Sequence, residues 1–357
     1  MHLAAAPIPP HVLVIGRRPR PNSALPVSLG TDISHAADVL RAGGLVAFPT
    51  ETVYGLGADA TSAAAVARVF AVKGRPRAHP LIVHLAGADD LGAWTERPGA
   101  DALALARAFW PGPLTLIVRR GPGVLDAVSG GAPTVGLRVP AHPMARALLA
   151  AFGGGVAAPS ANRFGAVSPT TAAHVVADLG DDVDYVLDGG PCQVGVESTI
   201  VDLAGDAPAL LRPGGIARAA VEAVLGRPLA AGSATPAPGT LPSHYAPRAR
   251  VVAVAPAGLA GAVATAVSAA GAAARIAVLA PAAALAAAAL PAAVTIRALP
   301  DDDAAMAHDL YAALRELDRG DVTTIVAALP AEAGLGAAVA DRLRRAAGPR
   351  TVEDDLG

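Results

Sequence analysis

The chain has little cysteine, few aromatic residues and almost no net charge. Its one cysteine, Cys192, excludes an intrachain disulfide framework and a cysteine-based zinc site, and it favours a reducing, cytoplasmic location. Aromatic residues make up 3% of the 357 residues, and 28 basic residues stand against 30 acidic ones. A broad basic surface for nucleic acid is therefore not expected, although a local basic pocket is compatible with this balance.

Long uninterrupted apolar runs are also missing. The apolar stretch 280–293 contains two prolines near its ends and is shorter than the roughly 20 residues of a membrane-spanning helix. Prolines interrupt the apolar N-terminus, and its basic residues follow the apolar ones, which is the wrong order for a secretory signal. The sequence therefore predicts neither a membrane span nor a membrane partner.

Lysine occurs once, at Lys73, and arginine supplies the other basic residues of the chain. Because the two side chains are interchangeable on most solvated surfaces, a lysine kept at one place indicates a need for a compact ammonium group. Arg75, Arg77, His79 and His84 follow closely. This density of cationic groups predicts a polyphosphate site, with Lys73 and Arg75 as its catalytic cations. A lysine that merely persists on the surface is the alternative.

The pattern of apolar and turn residues predicts an α/β protein with two domains. Helices are expected at 31–42, 61–73, 101–109, 142–151, 170–179, 217–225 and 335–346. Strands are expected at 45–50, 80–85, 114–118, 134–139, 155–158, 184–188, 198–203, 250–256, 275–281, 294–300 and 322–330. The predicted order is a loose N-terminal arm (1–28), a larger domain (29–225), a Pro/Gly-rich linker (226–249) and a smaller α/β domain (250–350).

Small polar and basic residues collect at the ends of the predicted strands, where α/β proteins bind ligands. The motifs are FPTETVYGLG, WPGPLTLIV, GLRVP, SANRFGAVS, GVEST and LLRPGG. Their chemistry-bearing residues are Thr50, Tyr54, Thr115, Arg138, Ser160, Asn162, Ser168, Ser198 and Arg212. The chain has neither a GxxxxGK[ST] phosphate loop nor a GxSxG nucleophile elbow. The smaller domain carries no comparable cluster and is expected to be structural or regulatory.

In their order and their residues, these motifs resemble the YrdC/Sua5 family over roughly residues 30–216. SHYAP (243–247) in the linker resembles the long Sua5 form. The resemblance implies a twisted mixed sheet with helices, followed by a smaller, Rossmann-like α/β domain. It also implies an L-threonylcarbamoyladenylate synthase, a nucleotidyltransferase that makes threonylcarbamoyl-AMP and pyrophosphate from L-threonine, bicarbonate or CO2, and ATP. Mg2+ would accompany ATP, with no metal ligands from protein side chains.

The resemblance also implies a role for each site residue. Contacts with threonine would come from Thr50, Tyr54, His84, Thr115 and Arg138. Contacts with ATP would come from Lys73, Arg75, His79, Ser160, Asn162, Ser168, Ser198 and Arg212. Tyr245 would be a lid residue. The product would pass to the machinery that forms t6A37 in ANN-reading tRNAs, and a weak contact with tRNA is left open.

Two other functions remain compatible with the sequence. The first is a non-catalytic RNA-binding protein of the same fold, although such a protein would be expected to spread basic residues and aromatics over a wide face. The second is a related carbamoyl or nucleotidyl transferase with another acceptor, because a fold does not determine its substrate.

Overall fold

A computed structural model of the chain describes residues 28–230, 232–270 and 275–349. Its strands are β1 Ser28–Gly30, β2 Val46–Phe48, β3 Gly55–Asp59, β4 Ile82–His84, β5 Leu114–Arg119, β6 Thr134–Arg138, β7 Val156–Ala157, β8 Tyr185–Leu187, β9 Thr199–Asp202, β10 Ala209–Arg212, β11 Arg250–Val254, β12 Arg275–Pro281, β13 Thr295–Leu299 and β14 Val322–Ala328. They form two separate sheets, one in each half of the fold. We call the two halves the N-terminal unit and the C-terminal unit.

The helices pack against these sheets. In the N-terminal unit they are α1 Ile33–Arg41, α2 Ala63–Lys73, α3 Leu91–Trp94, α4 Ala100–Phe109, α5 Asp126–Ser129, α6 Pro143–Phe152, α7 Ala172–Leu179 and α8 Arg218–Leu225. In the C-terminal unit they are α9 Leu259–Ala269, α10 Ala282–Ala286, α11 Asp303–Asp318 and α12 Gly334–Ala346. Within the described ranges, no helix combines the length and apolar character that crossing a membrane requires.

The larger sheet has ten strands in the order β1-β8-β2-β3-β7-β4-β6-β5-β9-β10. Parallel and antiparallel pairs alternate irregularly, so the predicted mixed sheet is confirmed. The smaller sheet has four strands in the order β11-β14-β12-β13, and all its pairs are parallel. This parallel sheet with helices between its strands confirms the predicted second α/β layer.

Local sequence signals explain where the helices begin and end. The Asp32 carboxylate accepts a hydrogen bond from the backbone N–H of His35 at 3.0 Å and so caps the N-terminus of α1. Helix α2 ends at Gly74, whose φ of 65° is left-handed and costs glycine little. Because of this turn, the chain changes direction between Lys73 and Arg75, the two residues predicted to be catalytic.

Three short strands of the larger sheet were not predicted, namely β1, β3 and β10. Strand β3 has the sequence GLGAD, and glycine and aspartate are poor strand formers, so its local preference favours a loop. The tertiary packing explains the glycine, because a Cβ on Gly57 would approach Phe48 at 2.8 Å and Val156 at 2.9 Å. Close contact between neighbouring strands therefore overrides the local preference.

The segments outside the two predicted domains are partly described. Residues 1–27 of the predicted arm lie outside the described residues, and Ser28 is the first residue of β1. The linker lies against the N-terminal unit, with isolated bridges from Ala230 to Ala209 and from Ala246 to Ala166. The division into domains at 29–225 and 250–350 stays a prediction.

Candidate active site

A narrow cavity of about 50 Å³ lies between the larger sheet and the linker. Eight of the predicted site residues line it, namely Thr50, Arg75, His84, Arg138, Ser160, Ser198, Arg212 and Tyr245. We call His84 and Arg138 the strand wall, and Pro238, Gly239, His244 and Tyr245 the linker cover. The structure thus gathers residues from 50 to 245 around one space.

The strand wall follows from the order of the sheet. Strands β4 and β6 pair in parallel with His84 directly beside Arg138. Both side chains are buried, and burial together with the charge of Arg138 lowers the pKa of His84 to about 3. The imidazole is therefore neutral at physiological pH and lies beside the guanidinium of Arg138.

Arg138 belongs to a small buried network with residues 50–52, whose sequence is TET. Its Nη2 lies 2.7 Å from Oε1 of Glu51, and its Nη1 donates to Oγ1 of Thr52 at 2.9 Å. The hydroxyls of Thr50 and Thr52 lie 2.8 Å apart. The charge of Arg138 is thus compensated within the protein, as expected for a buried guanidinium.

Arg212 and Ser198 form a second polar group, on the opposite side of β5. The Nη2 of Arg212 donates to Oγ of Ser198 at 3.1 Å, and its Nε donates to the Ser198 carbonyl at 3.1 Å. Thr115 on β5 does not line the cavity; its hydroxyl lies 2.8 Å from Ser198 Oγ. Thr115 is therefore placed to orient Ser198 rather than to line the cavity itself.

Lys73 is buried just behind the cavity. Its ammonium group donates to the carbonyl oxygens of Ser160 and Asn162, each at 2.6 Å. Burial, reinforced by the charge of Arg75, holds the pKa of Lys73 well below its ordinary value. The alternative that Lys73 is a surface residue is wrong, because its side chain is 3% exposed. Among the described residues its direct role is to hold the loop that carries Ser160.

Arg75 faces the cavity and also borders a second cavity of about 140 Å³ beneath the linker. His79 and Phe164 line this second cavity, and the Phe164 ring lies 5.6 Å from the Arg75 guanidinium. Burial lowers the pKa of Arg75 to about 10, which leaves it charged at neutral pH. The two adjoining cavities share Arg75, Gly239 and His244.

Four nitrogen atoms around the first cavity have no hydrogen-bond partner among the described residues. They are Nε of Arg75, Nδ1 of His84, Nδ1 of His244 and Nη2 of Arg138, of which the last is ion-paired with Glu51. Buried polar atoms are nearly always paired in native proteins, so this concentration in one place indicates where a ligand or water binds. The cavity is therefore the candidate binding site of the chain.

Six predicted site residues do not line this cavity. Besides Lys73, His79 and Thr115, they are Tyr54, Asn162 and Ser168. The Tyr54 hydroxyl donates to the Gly190 carbonyl at 2.8 Å, and burial raises its pKa above the ordinary value. The hydroxyl of Ser168 donates to Glu197, and the amide of Asn162 donates to carbonyls of its own loop. These three are held by protein partners, and their roles toward a ligand stay predictions.

The linker cover has an unusual backbone. Tyr245 is 1% exposed and has a φ of 63°, a left-handed value that is rare for a residue with a side chain. Its hydroxyl lies 3.3 Å from Nη1 of Arg212, and its ring lies 4.1 Å from that of His244. Such a conformation persists only where the surroundings hold it, which is typical of functional segments.

The predicted set of site residues leaves out five residues that lie in or beside the site. Glu51, Thr52, Glu197 and His244 are members of motifs that were recognised, so their position beside predicted residues was a usable signal. Arg342 had no such signal, because it belongs to a basic stretch in the last helix, far along the chain. Its side chain is fully buried against Glu197, so the C-terminal unit was wrongly expected to lack an ionisable cluster.

This fold and this cavity define an α/β protein with an arginine-lined cavity that the linker partly closes. A family model described as "Telomere recombination", which covers Sua5, YciO and YrdC proteins, matches residues 38–214. A second model, described as the C-terminal domain of threonylcarbamoyl-AMP synthase, matches residues 216–348.

Similar proteins cover nearly the whole chain. The threonylcarbamoyl-AMP synthase of Pyrococcus abyssi (strain GE5 / Orsay) is 40% identical over 325 residues, which are 89% of this chain and 94% of that protein. The synthase of Bacillus subtilis (strain 168) is 40% identical over 329 residues, 90% of this chain and 94% of that protein. The chain belongs to the Sua5 family of threonylcarbamoyl-AMP synthases.

A solved structure agrees with this assignment. The crystal structure of P. abyssi Sua5 complexed with L-threonine superposes with a TM-score of 0.82 at 37% sequence identity. The match covers 90% of this chain and 97% of that one, so both units share the fold. The predicted family and fold class are confirmed, and the chain is a member of a family of enzymes.

Proposed function

We propose that the chain joins L-threonine, bicarbonate or CO2, and ATP into threonylcarbamoyl-AMP and pyrophosphate. The observation that carries the proposal is the cavity lined by Arg75, Arg138 and Arg212, together with its unpartnered nitrogens. Three arginines beside hydroxyl groups suit a carboxylate and a polyphosphate. The family's name and the L-threonine held by P. abyssi Sua5 support the same choice.

Threonine would bind at the strand wall. The neutral His84 can accept a hydrogen bond from an ammonium or hydroxyl group through an unprotonated ring nitrogen. Arg138 can meet a carboxylate, and Thr50 offers a hydroxyl at the end of β2. A neutral imidazole beside a guanidinium would favour a zwitterion, because the imidazole can bind the ammonium group and the guanidinium can bind the carboxylate.

ATP would bind where Arg75, Ser160, Ser198 and Arg212 converge. In the proposed reaction the neutral threonine amine attacks the carbon of CO2 to give a carbamate, and the proton lost from nitrogen passes to solvent. A carbamate oxygen then forms a bond to the α-phosphorus while the bond to the leaving pyrophosphate breaks. Fixed arginines would stabilise the charge that moves onto the pyrophosphate, and no covalent nucleophile from the protein is needed.

Lys73 would act from behind this phosphate site. Its ammonium group holds the carbonyls of Ser160 and Asn162 and so orients the loop toward the cavity. A bound polyphosphate would raise the lowered pKa of Lys73 by supplying a nearby negative charge. In this proposal the compact ammonium fits where a planar guanidinium would collide with the loop.

The linker cover must move before ATP enters. The cavity of about 50 Å³ is far smaller than the roughly 300–1,000 Å³ of typical ligand sites. Pro238, Gly239, His244 and Tyr245 line the cavity on the side of the linker. Opening would admit the substrates, and closure would then exclude water from a carbamate that hydrolyses readily.

Mg2+ would arrive with ATP rather than at a protein site. Over the described ranges, no group of three or more His, Cys, Asp or Glu side chains could hold a metal ion. The two carboxylates near the cavity, Glu51 and Glu197, are each paired with an arginine. These residues do not fit a protein-bound metal. Mg2+ bound to ATP oxygens would itself neutralise phosphate charge.

The wider cellular role follows from the product. Threonylcarbamoyl-AMP is an activated intermediate, and we propose that it is passed to the machinery that forms t6A37 in ANN-reading tRNAs. The same proposal includes a cytoplasmic location and, at most, a weak direct contact with tRNA. The nearly balanced charge of the chain supports a weak contact, because strong non-specific binding needs many basic residues.

The test is a reconstituted reaction with ATP, Mg2+, bicarbonate and one amino acid at a time. Threonylcarbamoyl-AMP and pyrophosphate should form with threonine, and much less product should form with serine or valine. Equal pyrophosphate release with and without threonine would contradict the proposal. An efficient reaction with another amino acid would instead support the related transferase, and tRNA binding without any synthesis would support the RNA-binding protein.

A further inference from the structure

The last helix of the C-terminal unit places a fully buried arginine against the GVEST turn of the N-terminal unit. The Nε of Arg342 donates to Oε2 of Glu197 at 2.7 Å, and its Nη2 donates to the Pro213 carbonyl at 3.1 Å. Its Nη1 donates to Asp341 at 2.6 Å. Each nitrogen of the guanidinium therefore has a partner, and two of the three partners belong to the other unit.

Glu197 receives further hydrogen bonds from both units. The Tyr311 hydroxyl on α11 donates to Oε2 at 2.8 Å, and the Ser168 hydroxyl donates to Oε1 at 2.6 Å. Burial would raise the pKa of Glu197, but the charges of Arg342 and Arg212 and the hydrogen bonds from Ser168 and Arg342 lower it to about 2. Glu197 is therefore ionised and fixed in position at neutral pH.

The backbone around Glu197 is also in close contact with the C-terminal unit. A Cβ on Gly195 would lie 2.5 Å from the carbonyl oxygen of Ala307 and from the Cα of His308. Gly195 has a φ of 78°, so the turn needs glycine for its conformation as well. The turn and helix α11 thus fit together without space for a side chain.

From this cluster, contacts lead directly to the cavity. Glu197 lines the cavity itself, and it precedes Ser198 in the chain. The Arg342 guanidinium lies 5.0 Å from the centre of the Tyr245 ring, whose hydroxyl lies 3.3 Å from Arg212. Arg212 in turn binds Ser198. Arg342 therefore contacts both Glu197 and Tyr245, which are two neighbours of the Arg212–Ser198 pair.

A purely stabilising role would explain these contacts poorly. A buried ion pair contributes little net stability compared with apolar side chains of similar volume, because desolvation offsets the attraction. What such a pair does provide is a defined geometry for the groups that it joins. Here the joined groups are one lining residue of the cavity and the ring of the linker cover.

We propose that Arg342 and Tyr311 of the C-terminal unit are positioning residues for the nucleotide side of the site. They hold Glu197 and Tyr245, and through them they set the orientation of Arg212 and Ser198. The C-terminal unit thereby completes the nucleotide site, although it provides no residue of the strand wall. The assignment of nucleotide to Arg212 and Ser198 rests on the proposed function.

The test compares Tyr311→Phe, Arg342→Lys and Arg342→Met with the matched control Arg344→Met. Arg344 lies on the same helix but pairs with the exposed Glu332, so its loss removes a surface contact only. Binding of α,β-methylene-ATP with Mg2+, and separately of L-threonine, is measured by calorimetry on the full chain. Thermal unfolding is recorded for every variant.

Tyr311→Phe and Arg342→Lys should weaken binding of the ATP analogue about tenfold and leave the threonine affinity within about twofold. Arg342→Met should weaken it further, and Arg344→Met should match the unchanged protein. If Arg342→Met fails to fold, Tyr311→Phe still tests the proposal, because it removes one hydroxyl. Folded variants with unchanged nucleotide binding, or with equal losses for both ligands, would overturn it.

Measuring both nucleotide binding and product synthesis distinguishes the positioning role from the proposed reaction. If the unchanged chain makes no threonylcarbamoyl-AMP while the variants lose nucleotide affinity selectively, the positioning role stands and the proposed reaction fails. If synthesis occurs and substitution of Arg342 and Tyr311 leaves nucleotide binding unchanged, the positioning role is wrong and the proposed reaction stands. An unchanged chain that binds no ATP analogue overturns the positioning role together with the nucleotide assignment.

Discussion

The strand wall and the linker cover face each other across one cavity, but they are built in different ways. His84 and Arg138 lie on paired central strands whose positions the whole sheet maintains. His244 and Tyr245 lie on an irregular segment whose contacts come from Arg212, Phe164 and the C-terminal unit. Moving the strand wall requires breaking the sheet, whereas moving the linker cover requires only that local contacts be released.

This difference assigns separate tasks to the two sides. A rigid wall suits a small amino acid, because its few contacts must be well placed before binding. A movable cover suits a large nucleotide and a water-sensitive intermediate, because the site must both open and close. The four predictions below test this division.

Lowering the pH should have the largest effect, and it should distinguish the strand wall from the linker cover. Burial lowers the pKa values of both His84 and His244 to about 3, against an ordinary value of 6.5. The folded protein then binds fewer protons than the unfolded chain below pH 6.5, so stability falls as the pH falls through this range. Each buried histidine should cost about 1.4 kcal/mol per pH unit, or about 2 kcal/mol by pH 5.

The two histidines should differ in what acid releases. His244 can be protonated when the linker cover lifts, so proteolysis within 230–245 should increase near pH 5 before the sheet unfolds. His84 can be protonated only when the strands open. His244→Asn should remove the acid-induced cleavage, and His84→Asn should reduce the fall of Tm with pH. Simultaneous cleavage and unfolding in both variants would mean that the cover and the wall open as one body.

Lys73→Arg should show how tightly the phosphate loop is built. The ammonium group fits between two carbonyl oxygens at 2.6 Å, and a planar guanidinium needs more space. We expect activity to fall at least tenfold, about 1.4 kcal/mol in barrier terms, with the fold retained. Arg77→Lys, at an exposed position of the same segment, is the control and should keep full activity. A folded and fully active Lys73→Arg protein would remove Lys73 from the site.

The sequence predicted the strand wall better than the linker cover, and the reason is physical. Apolar runs that end in polar residues mark buried strands, so His84 and Arg138 could be placed from local pattern alone. Most helices and strands were predicted for the same reason. Strand β3 was missed because its glycines suit a loop, and only the packing of Phe48 against Gly57 explains its pairing.

Contacts between distant segments were beyond local pattern. Family resemblance indicated Tyr245 as a lid, but nothing near it in the chain indicates that Arg342 lies 5.0 Å from its ring. Likewise, the family resemblance implied that Thr115 contacts threonine, but nothing near Thr115 in the chain indicates that its hydroxyl lies 2.8 Å from Ser198. Its role toward a ligand stays a prediction. A polar residue in an apolar strand indicates that its side chain has a hydrogen-bond partner, but it does not indicate which residue or ligand that partner is.

Tyr245→Ala should weaken the cover without altering the strand wall. The ring packs on His244 and Arg342, and its removal would open the cavity to water. We expect about fivefold less product per ATP consumed, near 1 kcal/mol, with threonine affinity unchanged. Tyr245→Phe keeps the ring and loses only the 3.3 Å contact with Arg212, so its effect should be smaller. If Tyr245→Ala kept the ratio of product to ATP, the linker would be a tether and not a cover.

Thr115→Val should have the smallest effect on activity, because Thr115 does not line the cavity and affects it only through Ser198. The substitution preserves shape but removes the hydroxyl that lies 2.8 Å from Ser198, in a fully buried position. Ser198 keeps its bond from Arg212, so we expect about a threefold loss of activity, seen as a higher KM for ATP. Thr115→Ser, which retains the hydroxyl, should be close to the unchanged protein. If Thr115→Val instead raised the KM for threonine, Thr115 would belong with the strand wall, as the family resemblance implies.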